Sequence, residues 1–219
     1  MVFSSLEFIF RFLPIFLLAY FATPAKYRNA VLTVGSLVFY AVGEPVYVFL
    51  MIASIAANYF LALGIAKYRG RNSGRLLLVL AVLIDFGALF FFKYFGFFTR
   101  NICALIGRSA PEINVVLPLG ISFYTFQIMS YVIDVYRGDI SAEKDLLSYA
   151  LFVSFFPQLV AGPIERAGSL LGQLKEEHVR NRIDFINGFW LMLRGFYKKV
   201  VVANYLAVYI DKIYASPQN

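Results

Sequence analysis

Val46–Ala66 runs without one charged side chain. A stretch of that length matches the roughly 20 apolar residues needed to cross the hydrocarbon core of a bilayer. Leu6–Ala22, Leu76–Phe98, Val115–Val135 and Phe185–Tyr209 are further apolar stretches, and Ala30–Val42 is a shorter one ended by Glu44-Pro45. Hydrocarbon offers no hydrogen bonds, so a backbone crossing it must pair with itself, as a helix does. The pattern predicts an all-α fold, a polytopic transmembrane helical bundle.

Composition agrees. The 219 residues are 60% hydrophobic, 18% aromatic and only 15% charged, where soluble domains carry about 25% charge. The net charge of +7 does not imply nucleic acid, because the basic residues lie between apolar segments rather than along one face. Such spacing is what sets membrane topology. Lys67, Arg69, Arg71 and Arg75 form an acid-free basic loop and predict a cytoplasmic connection. Thr99–Asn114 is then a polar connector on the opposite side, and Arg137–Asp145 returns to the cytoplasmic one. Residues 1–10 carry no basic residue, and Lys26 and Arg28 follow the first apolar run. That order describes a retained anchor with its N-terminus outside, not a cleaved signal peptide.

Two blocks break the apolar text: PLGISFYTFQIMSYVIDVYRG at 118–138 and SFFPQLVAGPIERA at 154–167. In the first, Gln127, Ser130, Tyr131 and Asp134 fall at i, i+3, i+4 and i+7, one helical face. A polar face in a membrane must meet protein or water. It lines either a substrate path or an inter-helix hydrogen-bonding seam. Pro118 and Gly120 ahead of it predict a break or sharp entry into the helix. In the second block, Leu146–Phe156 is too short to span, and Pro157-Gln158 and Gly162-Pro163 disfavour a continuous helix. A re-entrant segment suits both, leaving Ile164–Asp184 on the cytoplasmic side. Arg166 is positioned to attract an anionic group such as a coenzyme A phosphate, or to pair with Glu165 or lipid headgroups.

Other residues carry weaker chemistry. Asp85 lies near the middle of its span, which makes it a functional or buried-pair residue. Lys93, about 12 Å further along the helix, is a poor partner and is expected to snorkel. His178 is the single histidine and sits in the charged run KEEHVR, as a solvated residue would, so it is rejected as a catalytic group. One cysteine, Cys103, and one histidine give no disulfide framework and no metal cluster. No cofactor-binding motif is present.

Together with FFFKYFGFF at 90–98, the two blocks resemble the membrane-bound O-acyltransferases, in particular the bacterial branch that acts on alginate and teichoic acids. Pro118, Gly120, Ser122, Phe123, Gln127, Ser130, Tyr131, Asp134, Tyr136 and Arg137 stand where that branch has its equivalents. Phe155-Phe156-Pro157, Gly162-Pro163-Ile164 and Arg166 match its second signature. The resemblance implies a helical fold around a tunnel, with Gln127, Ser130, Tyr131, Asp134, Pro157, Gln158, Gly162, Pro163 and Arg166 as candidates for its wall. It implies transfer of an acyl group, most plausibly acetyl, from a cytoplasmic acetyl coenzyme A or acyl carrier to hydroxyls of a cell-surface polysaccharide. It also implies a multi-pass bacterial inner-membrane location, extracytoplasmic partner proteins, and an essential histidine in a Trp-His-Gly segment on a later helix. No such segment occurs in 1–219, and His178 matches no part of it. Residues 1–219 are therefore expected to be the N-terminal part of one acyltransferase domain, inactive alone. The competing expectation is a non-catalytic membrane scaffold or conduit subunit, although a transporter should show paired broken helices in two halves and only one such break is evident.

Overall fold

The computed structural model describes residues 3, 5–108, 111, 115–159, 162–176 and 181–215. Among them every regular element is helical. In chain order these are α1 (Leu13–Ala22), α2 (Arg28–Gly43), α3 (Tyr47–Lys67), α4 (Asn72–Leu105) and α5 (Ile121–Arg137). The short α6 (Leu146–Ser154) and α7 (Phe156–Leu159) follow, then α8 (Ala167–Lys175), α9 (Arg182–Phe196) and α10 (Asn204–Ala215). The chain divides into two compact units, residues 18–176 and residues 1–17 with 177–219.

In the second of these units, the first apolar run is helical despite Pro14. A π-helical turn at Phe8–Phe12 precedes it, and the Leu13 N–H reaches back to the Phe8 carbonyl. A wide turn of this kind relieves the clash of a proline ring with the preceding backbone. Asn181 caps α9 by accepting from the Ile183 N–H, and a second π-helical turn, Tyr197–Ala203, carries Lys198 and Lys199 between α9 and α10. The helical stretch expected from Phe185 to Tyr209 thus runs from Arg182 to Ala215.

Unit 18–176 holds the core. α3 and α4 are each long and apolar enough to cross a membrane. α3, at 21 residues, measures about 31 Å, one hydrocarbon thickness. α4 runs further than its sequence suggests. The expected connector at Thr99–Asn114 is helical as far as Leu105, with Thr99 and Asn101 side chains bonding the Phe95 and Phe97 carbonyls four residues back. No glycine or proline lies between Thr99 and Gly107, so polarity alone does not end the helix. Pro118 and Gly120 do end the extended approach to α5, and Gly120 sits at its N-cap with φ +73°.

Contacts sort the loops to two ends. At one end the Leu119 N–H donates to the Glu44 carboxylate and the Tyr47 hydroxyl donates to the Val116 carbonyl, joining the α2–α3 turn to the entry of α5. At the other, the Arg69 guanidinium lies against Gly138, and the Tyr59 hydroxyl donates to the Lys144 carbonyl. The basic loop and the Arg137–Asp145 loop therefore share an end. Asn29, at the start of α2, donates to the Leu174 carbonyl there, and Gly168 packs beside Ile140. So α8 lies at this basic end as well.

Between them, α6 and α7 leave the basic end and reach Gly120, whose backbone faces the Leu159 carbonyl. The chain then comes back to α8. The segment predicted to be re-entrant leaves and returns at one end. Its return depends on Gly162, where an added Cβ would lie 2.6 Å from Gln158 Cα and 2.9 Å from its carbonyl oxygen. Gly162→Ala is expected to cost about 1–3 kcal/mol, the range of an overpacked core, read as a lowered Tm in detergent.

Asp145 starts the excursion. Its carboxylate accepts from the Ser148 hydroxyl at 2.6 Å and from the Ser148 and Leu147 N–H groups. The Ser148 hydroxyl, foremost, holds this carboxyl below the usual carboxylate range. A lowered folded-state pKa contributes stability that is complete above the unfolded value of about 3.9 and is lost as the pH falls through the folded one. Asp145→Ala should cost about 1 kcal/mol at neutral pH. The difference from wild type should vanish in strong acid, as measured by denaturant unfolding.

Candidate functional site

The two blocks meet where the α6 backbone breaks. Pro157 has no N–H to give, and Phe155 turns out of the helix with φ −51° and ψ +104°. This leaves the Phe152 carbonyl and the Phe156 N–H without their helical partners. Side chains from two neighbours replace them. Gln127 of α5 donates its amide to the Phe152 carbonyl at 2.7 Å, and Ser36 of α2 accepts from the Phe156 N–H at 3.2 Å. Phe39 packs its ring on Phe156, 5.3 Å between centroids. Gln127 is thus a positioning group for the returning segment.

Tyr131, one turn further along α5, is fully buried and its hydroxyl accepts from the Glu143 N–H at 2.8 Å. The Glu143 carboxylate accepts from the Asp145 N–H and pairs with Lys175 of α8. Through this residue the basic end is laced together: α5, the cap of α6 and the end of α8 all bear on it. Gln127 and Tyr131 therefore act as a seam. Ser130 and Asp134, on the same stripe, are half-buried.

The remaining candidates spread along the excursion. Gln158 is buried, Gly162 half-buried, and Pro157, Pro163 and Arg166 are exposed. Arg166 immediately precedes α8, and its carbonyl accepts the Ser169 and Leu170 N–H groups. This puts Arg166 at the start of α8, eight residues beyond Gln158. Among the described residues no cluster of His, Cys, Asp and Glu is arranged to hold a metal. His178 lies outside the described residues.

Asp85 is 2% exposed and accepts from the Asn58 amide at 2.9 Å. Lys93 points elsewhere, its ammonium 5.5 Å from the Tyr94 ring centroid. The partner is a neutral amide on the next helix. Sequence reading missed Asn58 because it screened Val46–Ala66 for charge alone; an amide in an apolar span is a signal of the same kind. It also missed Ser36 and Glu143, whose neighbours in sequence give no hint of them.

Similar proteins carry this arrangement's context further. The chain is 40% identical over 222 residues to a protein named probable alginate O-acetylase AlgI from Azotobacter vinelandii, covering 98% of this chain and 44% of that protein. It is 39% identical to the protein of the same name from Pseudomonas aeruginosa, over 98% of this chain and 42% of that one. It is 33% identical over 242 residues to a peptidoglycan O-acetyltransferase of Helicobacter pylori, covering 96% and 46%. The chain spans less than half the length of each of these relatives. No family model matches it, and no solved structure does.

Replacing Gln127 by Leu should cost about 1–3 kcal/mol, because it leaves the buried Phe152 carbonyl unpaired, and Ser36→Ala a similar amount. Each removes a partner from the same break, so the double variant should depart from additivity in thermal unfolding. Simple addition of the two effects would mean that the groups act separately.

Proposed function

We propose that this chain, which belongs to the membrane-bound O-acyltransferase family, builds the donor-side wall of a path for polysaccharide O-acetylation. The observation that carries this reading is the returning segment. It starts and finishes at the end rich in Lys and Arg, it carries the second of the two blocks that match the family, and Gln127 of the first block braces it. Relatives named as alginate and peptidoglycan O-acetyltransferases support the reaction class.

In the proposed membrane arrangement the basic end faces the cytoplasm, as an excess of Lys and Arg dictates, and the protein is a multi-pass component of a bacterial inner membrane. The donor is acetyl coenzyme A or an acyl carrier. Arg166, exposed at that end, attracts its phosphates. The acceptor is a hydroxyl of alginate or a related surface polymer, delivered with extracytoplasmic partner proteins. The hydroxyl oxygen attacks the thioester carbonyl as a general base takes its proton, the carbon–sulfur bond breaks, and the base passes that proton to the departing thiolate. The reading gives His178 no part in this step and places the base outside the 219 residues, so that these alone do not turn over. Asp134 and Ser130, half-buried on the α5 stripe, face the path, whereas Gln127 and Tyr131 hold its wall in place.

Transfer of labelled acetyl groups by the full-length protein in membranes tests the reading. Asp134→Ala should lower the rate about a hundredfold, the scale of a substrate misplaced by about 1 Å, with membrane abundance unchanged. Arg166→Ala should raise the KM for the donor more than it lowers kcat. Equal loss of protein and activity in Asp134→Ala would return that residue to the structural seam. Robust transfer by the 219-residue chain, abolished by His178→Ala, would overturn the assignment of the base.

A further inference from the structure

Five helices each bring one buried polar side chain to the middle of unit 18–176. These are Tyr40 of α2, Asn58 of α3, Asp85 of α4, Tyr124 of α5 and Tyr149 of α6, none more than 2% exposed. Asn58 and Asp85 share a hydrogen bond. Asp85 is close enough for its charge to act on both Tyr124 and Tyr149, and Tyr40 is close enough to act on Tyr124. Yet among the described residues five polar atoms of this group find no partner: Tyr40 Oη, Asn58 Oδ1, Asp85 Oδ2, Tyr124 Oη and Tyr149 Oη.

Buried polar atoms are almost always hydrogen-bonded, and those left unpaired are penalised heavily in an apolar core. Groups near enough to interact but too far to bond directly are the arrangement a bridging water serves. A buried water makes about three hydrogen bonds and needs polar partners on several sides. Here the partners come from five directions and include both acceptors and hydroxyls able to donate. The site is also sealed, which excludes any large ligand.

We propose that this five-helix node is an internal hydration site, in which ordered water joins the Asp85 carboxylate and the Asn58 carbonyl to the hydroxyls of Tyr40, Tyr124 and Tyr149. It is distinct from the Gln127 and Ser36 contacts at the α6 break. It stands whether or not the acetyl-transfer reading does. The node lets helices that would otherwise bury mismatched polar groups pack around shared ordered water.

Radiolytic hydroxyl labelling in heavy-oxygen water, with the protein in lipid nanodiscs and readout by peptide mass spectrometry, tests the site. Radicals formed from bound water oxidise side chains beside it, however buried. Tyr131 is the internal control: it is equally inaccessible, but its hydroxyl is satisfied by the Glu143 N–H. Tyr124 and Tyr149 should be labelled several-fold faster than Tyr131. Asp85→Leu should bring them down to the Tyr131 rate, and Tyr149→Phe, a gentler change for the case where the first variant does not fold, should slow labelling of Tyr124. Wild-type rates at Tyr124 and Tyr149 no faster than at Tyr131 would overturn the proposal, as would an unchanged Tyr124 rate in folded Tyr149→Phe protein.

Discussion

A broken helix inside an apolar core is stable only if something else satisfies the backbone groups it frees. At the α6–α7 break that requirement falls on Gln127 and Ser36. The Gln127 amide takes the orphaned Phe152 carbonyl, and the Ser36 hydroxyl takes the orphaned Phe156 N–H. Without them, Pro157 would put unpaired polar groups where water cannot reach, at a cost of several kcal/mol each in a lipid setting. With them, the chain can stop, turn and come back. Everything distinctive about unit 18–176 follows from that turn: the approach to Gly120, the tight passage of Gly162 over Gln158, and α8 lying at the basic end.

The same economy governs the basic end. Glu143 is nearly buried, and each side of it is occupied: its N–H by Tyr131, its carboxylate by the Asp145 N–H and by Lys175. A buried carboxylate is tolerated when its charge and lone pairs are all answered. Because the answering groups come from α5, the α6 cap and α8, the loop between α5 and α6 is fixed at three points. The proposed donor-side wall is thus held by polar contacts at both extremities of the excursion, with aromatic packing of Tyr131, Tyr149 and Phe152 between.

Much of this was legible in sequence, where a residue's local chemistry decides its role. The shortness of Leu146–Phe156 and the Pro157 and Gly162-Pro163 pairs announced a returning segment, because hydrocarbon thickness and proline geometry are fixed quantities. Gly120 announced the entry to α5. Other features were not legible. Thr99 and Asn101 look like a loop on polarity, yet each satisfies itself by bonding a carbonyl one turn back. The division of the α5 stripe into Gln127 and Tyr131, which brace neighbours, and Ser130 and Asp134, which do not, depends on which helices pack there. Spacing along one helix carries no information about its neighbours. Asp85 was recognisable as needing a partner, but only the fold could select Asn58.

The returning segment also bears on how such a protein is made. α6 and α7 together are shorter than a stretch that the insertion machinery accepts as a crossing helix, and the excursion they make starts at Asp145 and comes back to α8 on the side of the basic loops. They need not be threaded across the bilayer during synthesis. Their docking surfaces, Ser36 on α2 and Gln127 on α5, belong to helices translated earlier. The wall can then be closed last, by a hairpin that wedges itself between helices already in place.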